Sequence, residues 1–351
     1  MKDNKRFKFK TLVEPVLNYD GVSRFSDGLS AVFYNKSIGF IDKNGKIVIP
    51  FGLYFPAPNI RYIFNEGLSA FGKEGKCGFI EKTGEIVIAP EYDYVSVFSE
   101  NLAAVQKNGK WGYINRNGEI VIPFKYDFAQ DFVEGLAGVS ENGRFKFIGK
   151  TGKEAFSLPE KYNLVSSFRE KVAVISSCGD VSRLKNESHI SYMINQKYNN
   201  KSERWGFIDK NGEVLMELNC SYLSSLNEDL AVVIKNEEKF YVDKSGKTVF
   251  TSDFEQINNF HNGLASVRKN GKCGCIDKKG DLVIPLIYDG EFEIVFKNEI
   301  AAVKKDGKWG YIDKKGEIIV PFEYDLAFGI SECIAVVQKN GKWGILEITY
   351  N

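Results

Sequence analysis

Histidine is scarce in this sequence, which has only two in 351 residues, His189 and His261. General bases and activated nucleophiles most often depend on histidine. His189 lies in a long polar stretch, and His261 occupies a linker position beside Asn262 and Gly263. Neither position offers evident rigid support, so both are expected to be surface residues. We predict no catalytic residue and expect that the protein is not an enzyme.

An excess of charge of either sign is also lacking. The 47 Lys and Arg residues nearly balance the 46 Asp and Glu residues, which gives a net charge of +1. Binding to nucleic acid normally requires a strong positive field. Lysines and acidic residues are mixed in segments such as residues 304–306, so no basic face is evident. We therefore expect no nucleic-acid partner.

Long apolar runs are absent, whereas a membrane-spanning helix needs about 20 consecutive apolar residues. Residues 1–10 are charged and precede no apolar segment of a leader peptide. The six cysteines lack zinc-ligand spacing, and the closest pair, Cys273 and Cys275, shares one strand face. The glycines fall in hairpin turns, which excludes a phosphate-binding loop. We expect a cytoplasmic protein with reduced core thiols, no membrane association, no metal and no cofactor.

What the sequence does contain is an internal repeat. Residues 110–123, KWGYINRNGEIVIP, recur as residues 308–321, KWGYIDKKGEIIVP. Five of the eight intervals between repeat anchors equal 34 residues, for example from 77 to 111 and from 309 to 343. A constant interval indicates a tandem array of one supersecondary unit. Aligned on the tryptophan, the nine units have anchors at Ile38, Cys77, Trp111, Phe145, Trp205, Lys239, Cys273, Trp309 and Trp343.

Other residue types keep the same register. A glycine follows the anchor at Gly39, Gly78, Gly112, Gly206, Gly274, Gly310 and Gly344. A second glycine closes the next turn at Gly45, Gly84, Gly118, Gly152, Gly212, Gly246, Gly280 and Gly316. A Tyr-Asp pair ends at Asp20, Asp93, Asp127, Asp289 and Asp325. A phenylalanine follows the tyrosine position by six residues at Phe25, Phe98, Phe132, Phe168 and Phe260.

This pattern resembles the WG-repeat (KWG-repeat) family of bacterial proteins over nearly the whole chain, from about residue 13 to residue 346. The resemblance implies tandem β-repeats in proteins of undefined molecular role. Two units depart from the pattern. Lys146 replaces the motif glycine in one unit, and Lys239-Phe240 replaces both tryptophan and glycine in the other. We expect these two units to pack differently.

Each unit is predicted to be a three-stranded meander. Leu102–Lys107 and Lys110–Asn115 flank an Asn-Gly dipeptide, which is a strong hairpin signal. The continuous apolar run at residues 119–123 predicts a third strand that is buried on both faces and ended by its proline.

The middle strand has two distinct faces. Trp111 and Tyr113 should point one way, and Gly112 and Ile114 the other. The glycine is expected to make room for a neighbouring aromatic ring or backbone. Phenylalanines of the Phe98 type are expected to fill the space between units.

One meander cannot bury both of its faces, so the units must stack. We predict an all-β, elongated, superhelical, solenoid-like array. The alternative is a closed β-propeller-like ring, which the two ends of the chain could latch by completing one unit together. Nine units exceed the usual range of about 4–8 blades, and 34 residues are fewer than the about 40–45 of a four-stranded blade. These two size arguments favour the open array.

The array is expected to be a single domain spanning residues 1–351. Residues 1–37 would form an N-terminal cap or partial unit, and residues 335–351 a truncated C-terminal unit. The polar insertion at residues 176–203 is expected to be an exposed loop. A smaller insertion lies at residues 53–62.

The repeated charges are interpreted structurally. The Tyr-Asp aspartates are expected to form turns and satisfy backbone donors, the alternative being a carboxylate rim that binds cations or glycans. Cross-strand pairing of the lysines before the anchor with acids on the next strand would neutralise both columns. The lysines are Lys76, Lys110, Lys272, Lys308 and Lys342, and the acids are Glu85, Glu119 and Glu317.

Repeat arrays offer long surfaces whose exposed positions can vary from unit to unit. We therefore predict a monomeric, non-catalytic scaffold that binds another protein. The alternative is a carbohydrate or cell-wall binding module, which should expose equivalent aromatic residues in several units. The sequence does not assign the binding residues.

Overall fold

The computed structural model describes residues 7–54, 60–177, 203–291 and 293–350. Within these ranges, all regular elements are β-strands, which form nine antiparallel sheets. We call these sheets blades 1 to 9. The predicted all-β, repeated architecture is confirmed. Most of the insertion at residues 176–203, including His189, lies outside the described residues, as do residues 55–59 of the smaller insertion.

The first four blades follow one another along the chain. Blade 1 contains β2 (Gly21–Val22), β3 (Ser30–Tyr34), β4 (Ser37–Ile41) and β5 (Ile47–Tyr54). Blade 2 contains β6 (Leu68–Lys73), β7 (Lys76–Glu81) and β8 (Ile86–Tyr92). Blade 3 contains β9 (Tyr94–Val95), β10 (Leu102–Lys107), β11 (Lys110–Asn115) and β12 (Ile120–Tyr126). Blade 4 contains β13 (Phe128–Ala129), β14 (Leu136–Glu141), β15 (Arg144–Gly149) and β16 (Glu154–Ser157).

The remaining blades repeat this order. Blade 5 contains β17 (Leu164–Val165), β18 (Val172–Ser176), β19 (Glu203–Asp209) and β20 (Val214–Cys220). Blade 6 contains β21 (Tyr222–Leu223), β22 (Ala231–Lys235), β23 (Glu238–Val242) and β24 (Thr248–Ser252). Blade 7 contains β25 (Gln256–His261), β26 (Leu264–Lys269), β27 (Lys272–Ile276) and β28 (Leu282–Asp289). Blade 8 contains β29 (Ile300–Lys305), β30 (Lys308–Asp313) and β31 (Ile318–Tyr324).

Blade 9 is assembled from both ends of the described chain. Its strands are β32 (Leu326–Ala327), β33 (Ile334–Lys339), β34 (Lys342–Tyr350) and β1 (Phe7–Leu17). β1 pairs with β34, and Phe7 lies opposite Tyr350 while Leu17 lies opposite Trp343. Residues near the two ends therefore share one sheet.

The hydrophobic core lies between blades. Each of nine clusters in the described residues is shared by two consecutive blades. One cluster joins Val22 and Phe25 of blade 1 to Trp343 and Ile345 of blade 9. The nine blades therefore form a closed, propeller-like ring.

The prediction of an open solenoid is wrong, and the closed ring given as its alternative is what the structure has. An open array would leave one apolar face of its first blade and one of its last blade in water. Closure buries both, since Val22 is 6% exposed and Trp343 is 5% exposed. The two size arguments failed because they describe tendencies of other folds, whereas burial of both end faces is a direct energetic gain.

The predicted faces of the middle strand are confirmed. Tyr113 packs in the cluster that blade 3 shares with blade 4, and Trp111 lies against the same cluster. Ile114 packs in the cluster shared with blade 2. The motif glycine makes room for backbone, because a Cβ at Gly112 would lie 2.6 Å from the Ile122 carbonyl oxygen.

The third strand of the meander departs from its prediction. Ile120 is 58% exposed and Val121 38% exposed, while Ile122 is 1% exposed. The strand lies at the edge of its sheet, so one row of its side chains enters the core and the remainder faces solvent. Burial on both faces, predicted from the apolar run, is therefore wrong.

Proline determines how these outer strands pair. In blade 3, Tyr113 lies opposite Ile122 and Trp111 opposite Tyr126, so the residues around Pro123 bulge out of the ladder. The pairing resumes after the proline, which interrupts the ladder without ending it. The same irregularity occurs in the six outer strands that contain a proline, β1, β5, β8, β12, β28 and β31. We call these the bulged outer strands.

The other three outer strands lack proline and continue in register past the bulge position. Lys146 pairs with Ser157 in blade 4, and Phe240 pairs with Thr251 in blade 6. The two units without the motif glycine therefore do pack differently, as predicted. The third strand of this kind, β20 in blade 5, keeps its glycine, and Gly206 pairs with Glu217. We call β16, β20 and β24 the straight outer strands.

A short fourth strand was missed by sequence reasoning. It has two residues in blades 1, 3, 4, 5, 6 and 9, and it follows the Tyr-Asp position almost directly. Two residues are too few to show the alternation from which strands are predicted.

Candidate functional site

The Tyr-Asp aspartates link consecutive blades. Asp93 accepts a hydrogen bond from the Lys76 ammonium of blade 2 and another, 2.7 Å long, from the Asn108 backbone N–H of blade 3. The Lys76 hydrogen bond is the main cause that lowers the pKa of Asp93, and the Asn108 N–H contributes in the same direction against the effect of burial. The prediction that these aspartates satisfy backbone donors is confirmed.

The predicted partners of the lysines are wrong. Lys110 bonds Asp127 at 2.6 Å, and Lys272 bonds Asp289 at 2.9 Å, in place of acids such as Glu119. The reason is strand direction. Because β11 and β12 run antiparallel, Lys110 lies beside the end of β12, whereas Glu119 lies beside the other end of the hairpin.

A second lysine covers the tyrosine of the preceding blade. Lys107 lies 5.8 Å above the ring centroid of Tyr92 and 2.9 Å from the Glu91 carboxylate. Burial, followed by the Glu91 charge, raises the pKa of Tyr92 to about 12. In blade 9, Lys339 lies 6.0 Å above Tyr324. We call this arrangement the lysine lid.

At the junction between blades 3 and 4, the ion pair of the lysine lid is present with its two charges exchanged. Lys125 takes the place of the acid and Glu141 takes the place of the lysine, and their charged atoms lie 4.0 Å apart. The junctions between blades 2 and 3, blades 3 and 4, and blades 8 and 9 are therefore each closed at the rim by a pair of opposite charges.

The junction between blades 9 and 1 lacks this lid. Tyr34 occupies the position of Lys107, because each residue ends the second strand of its blade. Tyr34 packs 6.5 Å from Tyr19 and 5.8 Å from Phe51, and Tyr19 and Phe51 are also 5.8 Å apart. We call Tyr19, Tyr34 and Phe51 the aromatic patch.

The aromatic patch is open to solvent. Tyr34 is 40% exposed, and Tyr19 and Phe51 are half-buried. By contrast, Tyr92, Tyr126 and Tyr324 are at most 4% exposed. On the same outer strand as Phe51, Leu53 is 49% exposed at a position that is Glu91 in blade 2 and Lys125 in blade 3. The sequence signal was present, since Tyr34 breaks a column of lysines, but its exposure could not be read from the chain.

Sequence reasoning also missed a set of carboxylates on the turns after the short strands. Glu100 accepts a hydrogen bond from the Gly135 N–H of blade 4 and lies 2.9 Å from Lys150. Burial raises the pKa of Glu100, but these two partners outweigh it and the pKa is lowered. Glu332 accepts the Gly28 N–H at 2.9 Å across the ring closure. The available signal was an acidic residue that recurs at this turn position, as at Asp27, Glu66 and Glu134, and its role is to join blades.

The histidine and cysteine residues of the described part of the chain are His261 and five cysteines. His261 is half-buried, and burial together with the Arg169 charge lowers its pKa. Its predicted surface position is thus only partly right. Among the described cysteines, Cys77, Cys220, Cys273 and Cys275 are buried, as expected of core thiols, and burial raises the pKa of Cys220 to about 12.

The described residues also lack two larger features. Within residues 7–54, 60–177, 203–291 and 293–350, no three His, Cys, Asp or Glu side chains are grouped as metal ligands would be. In that same part of the chain, no helix has the length and apolar character needed to cross a membrane.

The closed ring of repeated sheets defines a β-propeller-like repeat protein. The WG containing repeat matches residues 38–77, 78–111, 111–145, 205–238, 240–273, 274–309 and 309–343. These matches cover more than half of the chain, so the chain belongs to the WG-repeat family.

One solved structure supports the fold. A crystal structure of a eukaryotic initiation factor matches with a TM-score of 0.57 at 12% identity, covering 90% of this chain and 88% of that chain. Hsv2p from Kluyveromyces lactis matches with a TM-score of 0.41 at 12% identity, covering 75% of this chain and 93% of that chain. A search of curated proteins found no match.

Proposed function

We propose that this protein is a non-catalytic scaffold that binds another protein through the aromatic patch. The supporting observation is that Tyr34 replaces the lysine lid at one junction and leaves three packed rings open to solvent. Exposed aromatic rings next to aliphatic side chains such as Leu53 are typical anchors of protein interfaces, because they bury a large apolar area with little loss of side-chain freedom.

The charge pattern supports a neutral, apolar contact at this point. The lysine lid pairs Lys107 with Glu91 and Lys339 with Glu323. At the patch, Tyr34 takes the lysine position, and the residue before Tyr19 is the uncharged Asn18. An apolar side chain of a partner can cover the patch without desolvating an ion pair.

Carbohydrate binding is the alternative, and the distribution of aromatic residues favours it less. A module with several similar sugar sites would expose the tyrosine of each Tyr-Asp pair. Tyr92, Tyr288 and Tyr324 are instead 2%, 3% and 4% exposed. A single composite surface is the arrangement expected for a protein partner.

The test uses the substitution Tyr34→Lys, which installs the residue found at Lys107 and Lys339 and should preserve the fold. Phe9→Lys is the matched control, because Phe9 is also 40% exposed but lies on β1 outside the patch. The immobilised full chain and both variants are incubated with native lysate, and retained proteins are identified by mass spectrometry.

A partner retained by the unmodified chain and by Phe9→Lys, but lost with Tyr34→Lys, would support the proposal. Equal retention by Tyr34→Lys would exclude the aromatic patch as the docking surface. A glycan array probed with the same three proteins covers the alternative, since saturable glycan binding that Tyr34→Lys abolishes would assign the patch to carbohydrate.

A further inference from the structure

The three straight outer strands belong to consecutive blades 4, 5 and 6 and so occupy one sector of the ring. An outer strand pairs on one side only, and its other side presents unpaired backbone N–H and C=O groups. In the bulged outer strands, proline removes a donor and the bulge breaks the regular row. The sector of blades 4 to 6 lacks this protection.

Among the straight outer strands, β20 is the longest. It has 7 residues, compared with 4 in β16 and 5 in β24. It stays in register with β19 from the Glu203–Cys220 pair to the Phe207–Met216 pair. From Met216 to Cys220, the unpaired side of β20 is therefore a regular template on which another strand can form hydrogen bonds.

The side chains of β20 alternate from Met216 to Cys220, the part of the strand that stays in register with β19. Met216 and Cys220 enter the core at 9% and 1% exposure. Glu213, just before the strand, and Leu215 and Glu217 within it are the exposed face of this strand. Leu215 is the extra residue of a bulge, because Ile208 pairs with Val214 and Phe207 with Met216. Leu215 is 38% exposed, so this face presents an aliphatic residue between two carboxylates.

The face already binds an ammonium group at one of its carboxylates. Lys161, in the linker between blades 4 and 5, forms an ion pair with Glu217, and both side chains remain more than a third exposed. Such exposed pairs contribute little to stability, so a cation on an added strand can share or replace this contact at low cost.

We propose that β20 is a strand-addition site, at which an extended segment of a partner protein joins blade 5 as a fifth strand. Backbone hydrogen bonds to the open edge hold the segment, as in other cases of β-augmentation. Charge complementarity sets its composition, with basic residues opposite Glu213 and Glu217 and an aliphatic residue opposite Leu215. This surface is separate from the aromatic patch, and the inference does not depend on that patch.

The probe is a fluorescein-labelled peptide as long as β20, of sequence Thr-Lys-Thr-Val-Thr-Lys-Thr, which places both lysines and the valine on one face. Binding to the full chain is measured by fluorescence anisotropy, and amide hydrogen exchange of β20 is followed with and without peptide. A control peptide carries N-methyl groups on both lysines and on the valine, because the residues opposite Glu217 and its neighbours would supply the backbone donors that face β20.

The decisive variant is Glu217→Pro. Phe207 pairs with Met216 as Tyr113 pairs with Ile122, so residue 217 corresponds to Pro123 and the substitution installs the proline of the bulged outer strands. Glu217→Gln separates the loss of charge from the loss of the N–H donor. Leu215→Lys, at an exposed position that should not disturb the fold, is a second test that does not involve proline.

We expect saturable binding that slows exchange of the β20 amides, with affinity reduced at least about tenfold by Glu217→Pro or Leu215→Lys and less by Glu217→Gln. Absence of saturable binding to the unmodified chain would overturn the proposal. So would equal binding of the N-methylated peptide or unchanged affinity of Glu217→Pro. Tyr34→Lys should leave peptide binding unchanged, so failure here is distinguishable from failure of the proposed function.

Discussion

The ring of Phe98 in blade 3 lies 4.7 Å from the ring of Phe79 in blade 2, centroid to centroid, at an interplanar angle of 61°. Both side chains have no measurable exposure. Equivalent pairs join the next blades at similar distances, namely Tyr113–Phe132, Phe147–Phe168 and Tyr241–Phe260. The linker phenylalanines therefore fill the space between blades, as predicted.

Phe98→Ala should lower the free energy of unfolding by about 3–5 kcal/mol, because it leaves a cavity between two rigid sheets. Chemical denaturation of the full chain measures this change. Val121→Ala is the control, since Val121 is 38% exposed and such a surface change should stay within about 0.5 kcal/mol. Similar losses of unfolding free energy for the two variants would contradict the role of Phe98 in filling the space between blades.

Trp309→Ala should also cost about 3–5 kcal/mol of unfolding free energy, because the Trp309 side chain is 7% exposed within the core of blades 8 and 9. Trp111→Ala should cost less, because Trp111 is only half-buried. Denaturation midpoints of the two variants test this order. An unchanged midpoint for Trp309→Ala would place that indole on the surface and revive a role in ligand stacking.

Gly112→Ala should destabilise the protein by about 1–3 kcal/mol, because the added methyl group meets backbone that cannot rotate away. The contact is the Ile122 carbonyl oxygen, 2.6 Å from the position of the new Cβ. Gly149→Ala is the control, since the Lys153 carbonyl oxygen, the nearest atom outside its chain neighbours, is 4.0 Å from the position of the new Cβ. Thermal unfolding should separate the two variants, and coincident curves would show that the strand relaxes freely.

Acid should destabilise the ring through the Tyr-Asp aspartates. The pKa values of Asp93 and Asp127 are lowered in the folded chain, chiefly by hydrogen bonds from Lys76 and Lys110. The unfolded chain therefore binds protons first, near the ordinary pKa of about 3.9. The stabilisation is complete above that pH and is lost as pH falls through the lowered folded values.

The measurement is the urea midpoint between pH 6 and pH 3, for the unmodified chain and for the double variant Asp93→Asn and Asp127→Asn. The midpoint of the unmodified chain should fall below about pH 5. The urea midpoint of the double variant should be lower at pH 6 and should fall less steeply as the pH decreases. Parallel curves would mean that these two carboxylates do not carry the acid sensitivity.

Ring closure can be tested by a cross-link between the ends. Lys8 and Thr349 are register partners in the β1–β34 pair, and antiparallel partners lie about 4.5–5.5 Å apart between Cα atoms, within the range that a disulfide spans. The variant Lys8→Cys with Thr349→Cys should form an intramolecular disulfide under mild oxidation. Peptide mapping detects the cross-link, and Lys8→Cys alone should not give it. An open array would hold the two residues too far apart.

The aromatic patch illustrates the limit of sequence reasoning. Tyr34 visibly interrupts a column that is otherwise mostly lysine, yet an interruption alone does not distinguish a buried ring from an exposed one. Its meaning depends on Tyr19, in the linker between blades 9 and 1, and on Phe51, on the outer strand of blade 1. Likewise, the lysines pair with acids that are distant along the chain, because strand direction places Asp127 beside Lys110.

The sequence by itself determined the repeat unit, its hairpin turns and the alternation that sends Tyr113 and Ile114 to opposite neighbours. These features depend on backbone geometry within a few residues. Only the tertiary structure decided that the ring closes and that Ile120 and Val121 face solvent. Closure follows from pairing Phe7 with Tyr350 across nearly the whole chain, and the exposure follows from the edge position of the outer strand, which no local pattern specifies.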